Sequence, residues 1–218
     1  MTLIPAFPLG TAFLPGEAVV LRVFESRYLD LVRVALENDR TFVTSLISAG
    51  SEVGGGDKRF DTGVLVQIDH VEPADFGLML YGHAVKPLNI SAWNDEASYP
   101  RASCHDQTLT TTGLSSPELM NLLSSLVRNL ENFFSFLTEM KIPSPIASGF
   151  VSSLLPADVN VLSAEESAHL FWSLVRLLPS TPLARYELLI DQPLTERVKR
   201  ALDEIEHLRE IVVFRYGN

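Results

Sequence analysis

The apolar residues of this chain change their period part-way along it, and that change limits the fold more than any other feature of the sequence. Up to about residue 110 they come in short β-branched runs broken by turn residues. From Leu119 they recur at helical spacing instead: Leu119, Leu122, Leu123, Leu126, Leu130, Phe133, Phe134, Leu137 and Met140, with Asn121, Arg128 and Glu131 between them. Ser115, Pro117 and Glu118 form a capping box with proline in the first turn, and Pro143 and Pro145 end the run. A helix over 116–140 would be about 37 Å long. A second capping box, Ser163 with Glu166, opens a helix that reaches Pro179. A short helix follows Pro182. A last one spans about 195–213, with Val198, Leu202, Ile205, Leu208 and Val212 on its apolar face. Four helices with short connections are expected to pack as a bundle.

The first part reads as strands at 18–23, 41–49, 64–68 and 78–81, with two more at 89–93 and 98–105. Residues 73–77 have the composition of a hairpin loop. One helix interrupts the strands. Ser26 is placed to cap it, and Leu29, Val32, Ala35 and Leu36 repeat along it. Short strands with a single early helix indicate a small, partly closed barrel. Phe24 is expected in its core, Pro15 and Gly16 in a turn, and the Thr- and Ser-rich stretch 106–115 as a linker. The expected organisation is thus a β-barrel subdomain over 1–110 and a helical subdomain over 116–218, sharing an apolar interface.

Composition removes several functional classes. With 17 Lys and Arg against 27 Asp and Glu, the net charge of −10 repels phosphate backbones. One cysteine allows neither an internal disulfide nor a thiolate zinc cage. No apolar run approaches the roughly 20 residues that cross a bilayer, and Pro5 and Pro8 interrupt an N-terminus without a basic flank. The expectation is a cytoplasmic protein with no membrane, nucleic-acid or cofactor partner.

Catalytic patterns are also missing. Gly54, Gly55 and Gly56 resemble a phosphate loop, but Asp57, Lys58 and Arg59 follow where a Walker sequence needs Gly-Lys-Ser/Thr. Cys104 and His105 are adjacent on an expected strand, so their side chains point to opposite faces and cannot easily pair. His70, His83, His105, His169 and His207 are scattered without metal-ligand spacing. Neither a catalytic residue nor a metal site is expected.

Four N-terminal segments, in order, carry a resemblance: Phe7 to Gly10 (FPLG), Leu14 to Glu17 (LPGE), Leu21 to Leu29 (LRVFESRYL) and Gly50 to Gly54 (GSEVG). Together they resemble the N-terminal domain of Lon protease. Thr62 to Val64, Tyr99 to Ala102, Leu178 with Pro179, Ala184 to Leu189 and Arg197 to Leu202 extend the similarity more loosely, over roughly 4–215. It implies an α+β chain, a PUA-like β pseudobarrel followed by a C-terminal helical bundle. It also implies a stand-alone, bacterial, non-catalytic substrate-binding protein, since neither the ATPase nor the Ser–Lys peptidase module of Lon is found before Asn218. One departure is the segment from His83 to Leu88, where the family carries an arginine. Pro87 there lacks a ladder donor and marks an edge or a bulge.

The candidate substrate-binding residues are Glu25, Arg27, Tyr28, Glu52 and Gly54. Tyrosine offers apolar area with a hydroxyl, arginine grips carboxylates and carbonyls, and glycine admits a close backbone. In the functional reading they contact an unfolded or extended polypeptide at a groove between barrel and bundle. In the structural reading Glu25 and Arg27 hold the helix start and Tyr28 packs the barrel mouth. An adaptor role would add a protease or chaperone as partner. A hydrolase built on Cys104 and an RNA-binding PUA-like barrel are the alternatives.

Overall fold

The structure, a computed structural model, describes residues 3–51, 56–107, 114–144, 146–147, 149–155 and 162–217. Glu52 and Gly54, and most of the expected linker, lie outside the described residues. The chain divides into two compact units, 1–108 with 181–191 and 109–180 with 192–218.

The first unit is a mixed sheet of six strands: β1 (Leu3–Leu9), β2 (Ala18–Val23), β3 (Thr41–Ala49), β4 (Lys58–Pro73), β5 (Leu78–Asn94) and β6 (Arg101–Asp106). Its order is β2-β5-β4-β3-β1-β6, and β5 also pairs with β6. Five strands therefore close into a ring, with β2 attached to its outside edge. Only β1 and β3 run parallel. That pairing needs a crossover, which β2 and helix α1 (Ser26–Glu37) supply. β1 was not legible as a strand, because Pro5 and Pro8 look like interruptions. A proline removes one donor only, and its neighbours keep theirs, as in the bond from Ala6 N to the Pro100 carbonyl at 2.9 Å.

β5 is one long strand where two were expected. Its first half pairs with β2 and its second half with β6. The changeover falls between His83 and Leu88, and the β4–β5 register slips by one residue around Val85, a bulge beside Pro87. The hairpin loop is 74–77, closed by a bond from Ala74 N to the Gly77 carbonyl. Gly77 has φ +90°, and a Cβ there would lie 1.9 Å from the Val23 carbonyl oxygen. Inside the ring, Ala6, Val43, Leu88, Ile90 and Ala102 form a buried cluster. Helix α1 buries Tyr28, Leu31, Val32 and Ala35: Val32 and Ala35 are in the expected stripe, while Tyr28 and Leu31 are buried and Leu29 and Leu36 are only half-buried.

The second unit contains α2 (Ser116–Glu139), a 3₁₀ turn (Ser152–Leu154), α3 (Ala164–Val175) and α5 (Leu194–Tyr216). Capping boxes hold the starts of α2 and α3. α2 packs against α3 and α5, and Leu123, Leu126, Leu130 and Phe133 on its inner face are buried. Glu131 on α2 accepts from Ser152 N at 2.8 Å, from Ser152 Oγ and from Gly149 N, tying the 3₁₀ segment to the helix.

The four-helix bundle needs correction. α4 (Pro182–Leu189) belongs to the first unit, where it meets β3 and β4. Tyr186 stacks on Phe60 with centroids 4.1 Å apart. Arg185 donates to the Ala12 carbonyl at 2.7 Å and pairs with Glu17. Asp191 accepts from Asn89 Nδ2 at 2.7 Å. Leu188 and Leu189 of α4 are buried as well, but two adjacent leucines in an eight-residue helix make no apolar stripe that would announce the docking.

Candidate functional site at the turn from β2 into α1

β2 ends at Val23 and α1 begins at Ser26, so Phe24 and Glu25 make the turn. Phe24 is 54% exposed, not in the core as its neighbours implied. It continues the outward alternation of Val20 and Arg22, and α1 starts before the chain can turn it inward. Glu25 holds the N-cap position of α1 without a side-chain cap bond. Its carboxylate instead accepts from Arg27 Nε at 3.1 Å. The Arg27 guanidinium lies 4.4 Å from the centroid of Tyr28, whose ring stacks on Phe7 at 3.9 Å. The structure thus brings Glu25, Arg27 and Tyr28 into one corner.

Tyr28 is 2% exposed. Its hydroxyl has no hydrogen-bond partner among the described residues. Burial pushes its pKa up to about 12; of the nearby charges, Arg27 and Arg59 pull it down while Asp57 and Glu25 push it further up.

Beside this corner is an ion cluster that sequence reading did not assemble. Arg59 Nε meets Asp57 Oδ2 at 2.5 Å, and its NH1 meets Asp95 Oδ1 at 2.8 Å. The Arg59 guanidinium also lies 4.7 Å from the Trp93 ring centroid. Burial works against its charge, but the two carboxylates outweigh burial and raise its pKa. The opposite charges of Asp57 and Arg59, two apart at the start of β4, were a weak signal of this pairing. The third partner, Asp95, comes from beyond the end of β5 and is visible only in three dimensions.

Two hollows flank the corner. A polar one of about 390 Å³ is bounded by Arg27, Asp57, Arg59, Asp95 and Tyr99. The other, about 210 Å³, is bounded by Phe7 and Leu9, by residues 20–23 of β2, and by Phe24, Glu25 and Tyr28. Since consecutive residues of β2 line it, this second hollow follows the strand edge itself.

The remaining candidates stay apart. Cys104 lies on β6 opposite Ile90, and burial raises its thiol to about 11, far from a ready nucleophile. Among the described residues no group of three His, Cys, Asp or Glu could hold a metal ion. Among them also, no helix is long and apolar enough to cross a membrane.

A five-strand ring with one appended strand, joined to a helical unit, is an architecture shared with Lon N-terminal domains. The Lon N-terminal domain protein from Xanthomonas campestris superposes with a TM-score of 0.61 at 22% identity, over 93% of this chain and 98% of that one. The N-terminal domain of Mycobacterium avium complex Lon protease gives 0.64 at 16%, over 94% and 98%. The family model for the substrate-binding domain of the ATP-dependent protease La (LON) matches residues 3–207. The chain belongs to that family. No curated protein matched it.

Proposed function

We propose that this protein is a non-catalytic module that binds unfolded or extended polypeptide, with Glu25 and Arg27, in the corner that the buried Tyr28 ring supports, as part of the contact surface. The match to a substrate-binding domain over residues 3–207 is the observation that carries the reading. The corner supports it chemically. Arg27 offers a guanidinium beside a polar hollow, while Phe24 and Val20 offer apolar surface beside a second one. Extended chains present both kinds of group at short intervals. The Cys104 thiol, held protonated by burial, speaks against a hydrolase on that residue.

In this reading an adaptor role follows, in which the module delivers captured chains to a protease or chaperone. The test is a titration of fluorescently labelled, permanently unfolded polypeptide against wild type, Arg27→Ala and Phe24→Ala, with melting recorded for each. Saturable binding that weakens in both variants is expected, at unchanged melting temperature in Phe24→Ala, whose side chain is exposed. Absence of binding up to high micromolar concentration would refute the reading. ATP and unfolded protein should both survive incubation with the purified chain.

A further inference from the structure

Among the described residues β2 is paired on one side only. Its six residues, Ala18 to Val23, pair in unbroken register with His83 to Leu78 of β5. Among the described residues no hydrogen bond reaches its other edge. In an antiparallel edge strand every second residue turns its N–H and C=O outward, so this edge presents a row of donors and acceptors. Natural edges are usually protected by bulges, prolines or covering segments. This one is regular, has no proline, and borders a hollow that Phe7 and Leu9 also line.

The outer face of the sheet continues in rows across three strands. Val20 lies opposite Tyr81, which lies opposite His70, and the Tyr81 and His70 rings stack at 4.5 Å. Arg22 lies opposite Met79, which lies opposite Glu72. Glu72 is engaged by the Tyr81 hydroxyl at 2.6 Å. Arg22 is exposed and has no ion pair or hydrogen bond among the described residues. Val20 and Phe24 on either side of it are 51% and 54% exposed, and Phe76 on the adjoining hairpin loop is 75% exposed. The edge therefore ends two rows with an apolar and a cationic side chain, and Phe24, just past the strand, adds a second apolar side chain at the same spacing of two.

We propose that an extended polypeptide segment adds to the sheet as a strand along the free edge of β2, with an acidic residue beside Arg22 and apolar residues two positions before and after it. The proposal rests on the polypeptide-binding reading and gives it a register. Main-chain bonds to β2 supply affinity for any extended chain, and the alternate side chains supply preference. Charge decides against a second copy of this chain as the occupant, because self-pairing along β2 sets Arg22 of both copies on one short stretch.

The test uses the capped peptide Thr-Val-Thr-Asp-Thr-Val-Thr and its counterpart with Lys for Asp, followed by amide hydrogen exchange of the full chain. Slower exchange at residues 18–23 is expected on adding the Asp peptide. Of two peptides N-methylated at alternate positions, one should lose binding, since one set of N–H groups faces β2. Wild type should prefer the Asp peptide by about two- to fivefold, and Arg22→Glu should reverse the preference, as opposed charges across a strand pair do. Val20→Lys should weaken both peptides; Val20 and Arg22 are exposed, so neither change threatens the fold. If labelled unfolded polypeptide binds while exchange at 18–23 stays unchanged and both variants bind as wild type, the strand-addition proposal fails and the module reading stands. If no polypeptide binds at all, both fail. Protection of 18–23 that grows with protein concentration alone would put a second copy on the edge and overturn the proposal.

Discussion

Replacing Tyr28 with phenylalanine separates the two roles open to that residue. The ring is held from both sides, by Phe7 at 3.9 Å and by the Arg27 guanidinium at 4.4 Å, and phenylalanine keeps both contacts. Only the hydroxyl leaves, and among the described residues it bonds to nothing. A buried unmatched polar group costs about 1–3 kcal/mol. Tyr28→Phe should therefore stabilise the protein by about 1 kcal/mol or more, raising Tm by about 2–4 °C per kcal/mol for a chain of this size. A second signature appears in alkali. The folded pKa is about 12 against an ordinary 10, so between those values the unfolded chain loses a proton that the folded chain keeps. Wild-type stability should fall over that window by about 3 kcal/mol from this group. Below pH 10 the group contributes no slope. Other tyrosines titrate there too, so the difference between wild type and Tyr28→Phe isolates it. Urea unfolding followed by circular dichroism at pH 8 and pH 11 measures both effects. A loss of 1 kcal/mol or more at pH 8 would refute the reasoning, because it would mean that the hydroxyl is satisfied and holds the corner together.

Substitutions at three further positions test the frame around the site. Arg185→Ala removes the bonds from α4 to Ala12 and Glu17 and should cost about 2 kcal/mol in urea unfolding; Arg185→Lys should recover little, because a single ammonium cannot reproduce the fork. Gly77→Ala forces a side chain into φ +90° and against the Val23 carbonyl, and should cost at least about 2 kcal/mol. Gly56→Ala also needs positive φ but meets nothing within 4 Å, so it should cost only about 1 kcal/mol. With its thiol near 11, Cys104 should be roughly a thousandth ionised at pH 8. Its alkylation by iodoacetamide should lag far behind that of free cysteine until the chain is unfolded, and matching rates would contradict the burial.

What the sequence alone determined is whatever depends on near neighbours along the chain. The helices α2 and α3 were readable because Ser115 with Glu118 and Ser163 with Glu166 satisfy the helix ends within three residues, and because a stripe of leucines needs only a 3.6-residue period. β2, β3 and the hairpin at 74–77 were readable from β-branched runs and turn residues. Glu25, Arg27 and Tyr28 could be named because they are consecutive or nearly so. The tertiary structure decided everything that depends on pairing between distant segments. It made β1 a strand despite two prolines, since β3 and β6 were there to receive it. It moved α4 onto the barrel through Tyr186 and Arg185, single contacts with no period to detect. It turned Phe24 outward and, among the described residues, left β2 unpaired on one side, because strand order is a property of the whole sheet and no run of residues encodes it. And it placed Asp95 on Arg59, 36 residues apart, where opposite charges meet only once the barrel has closed.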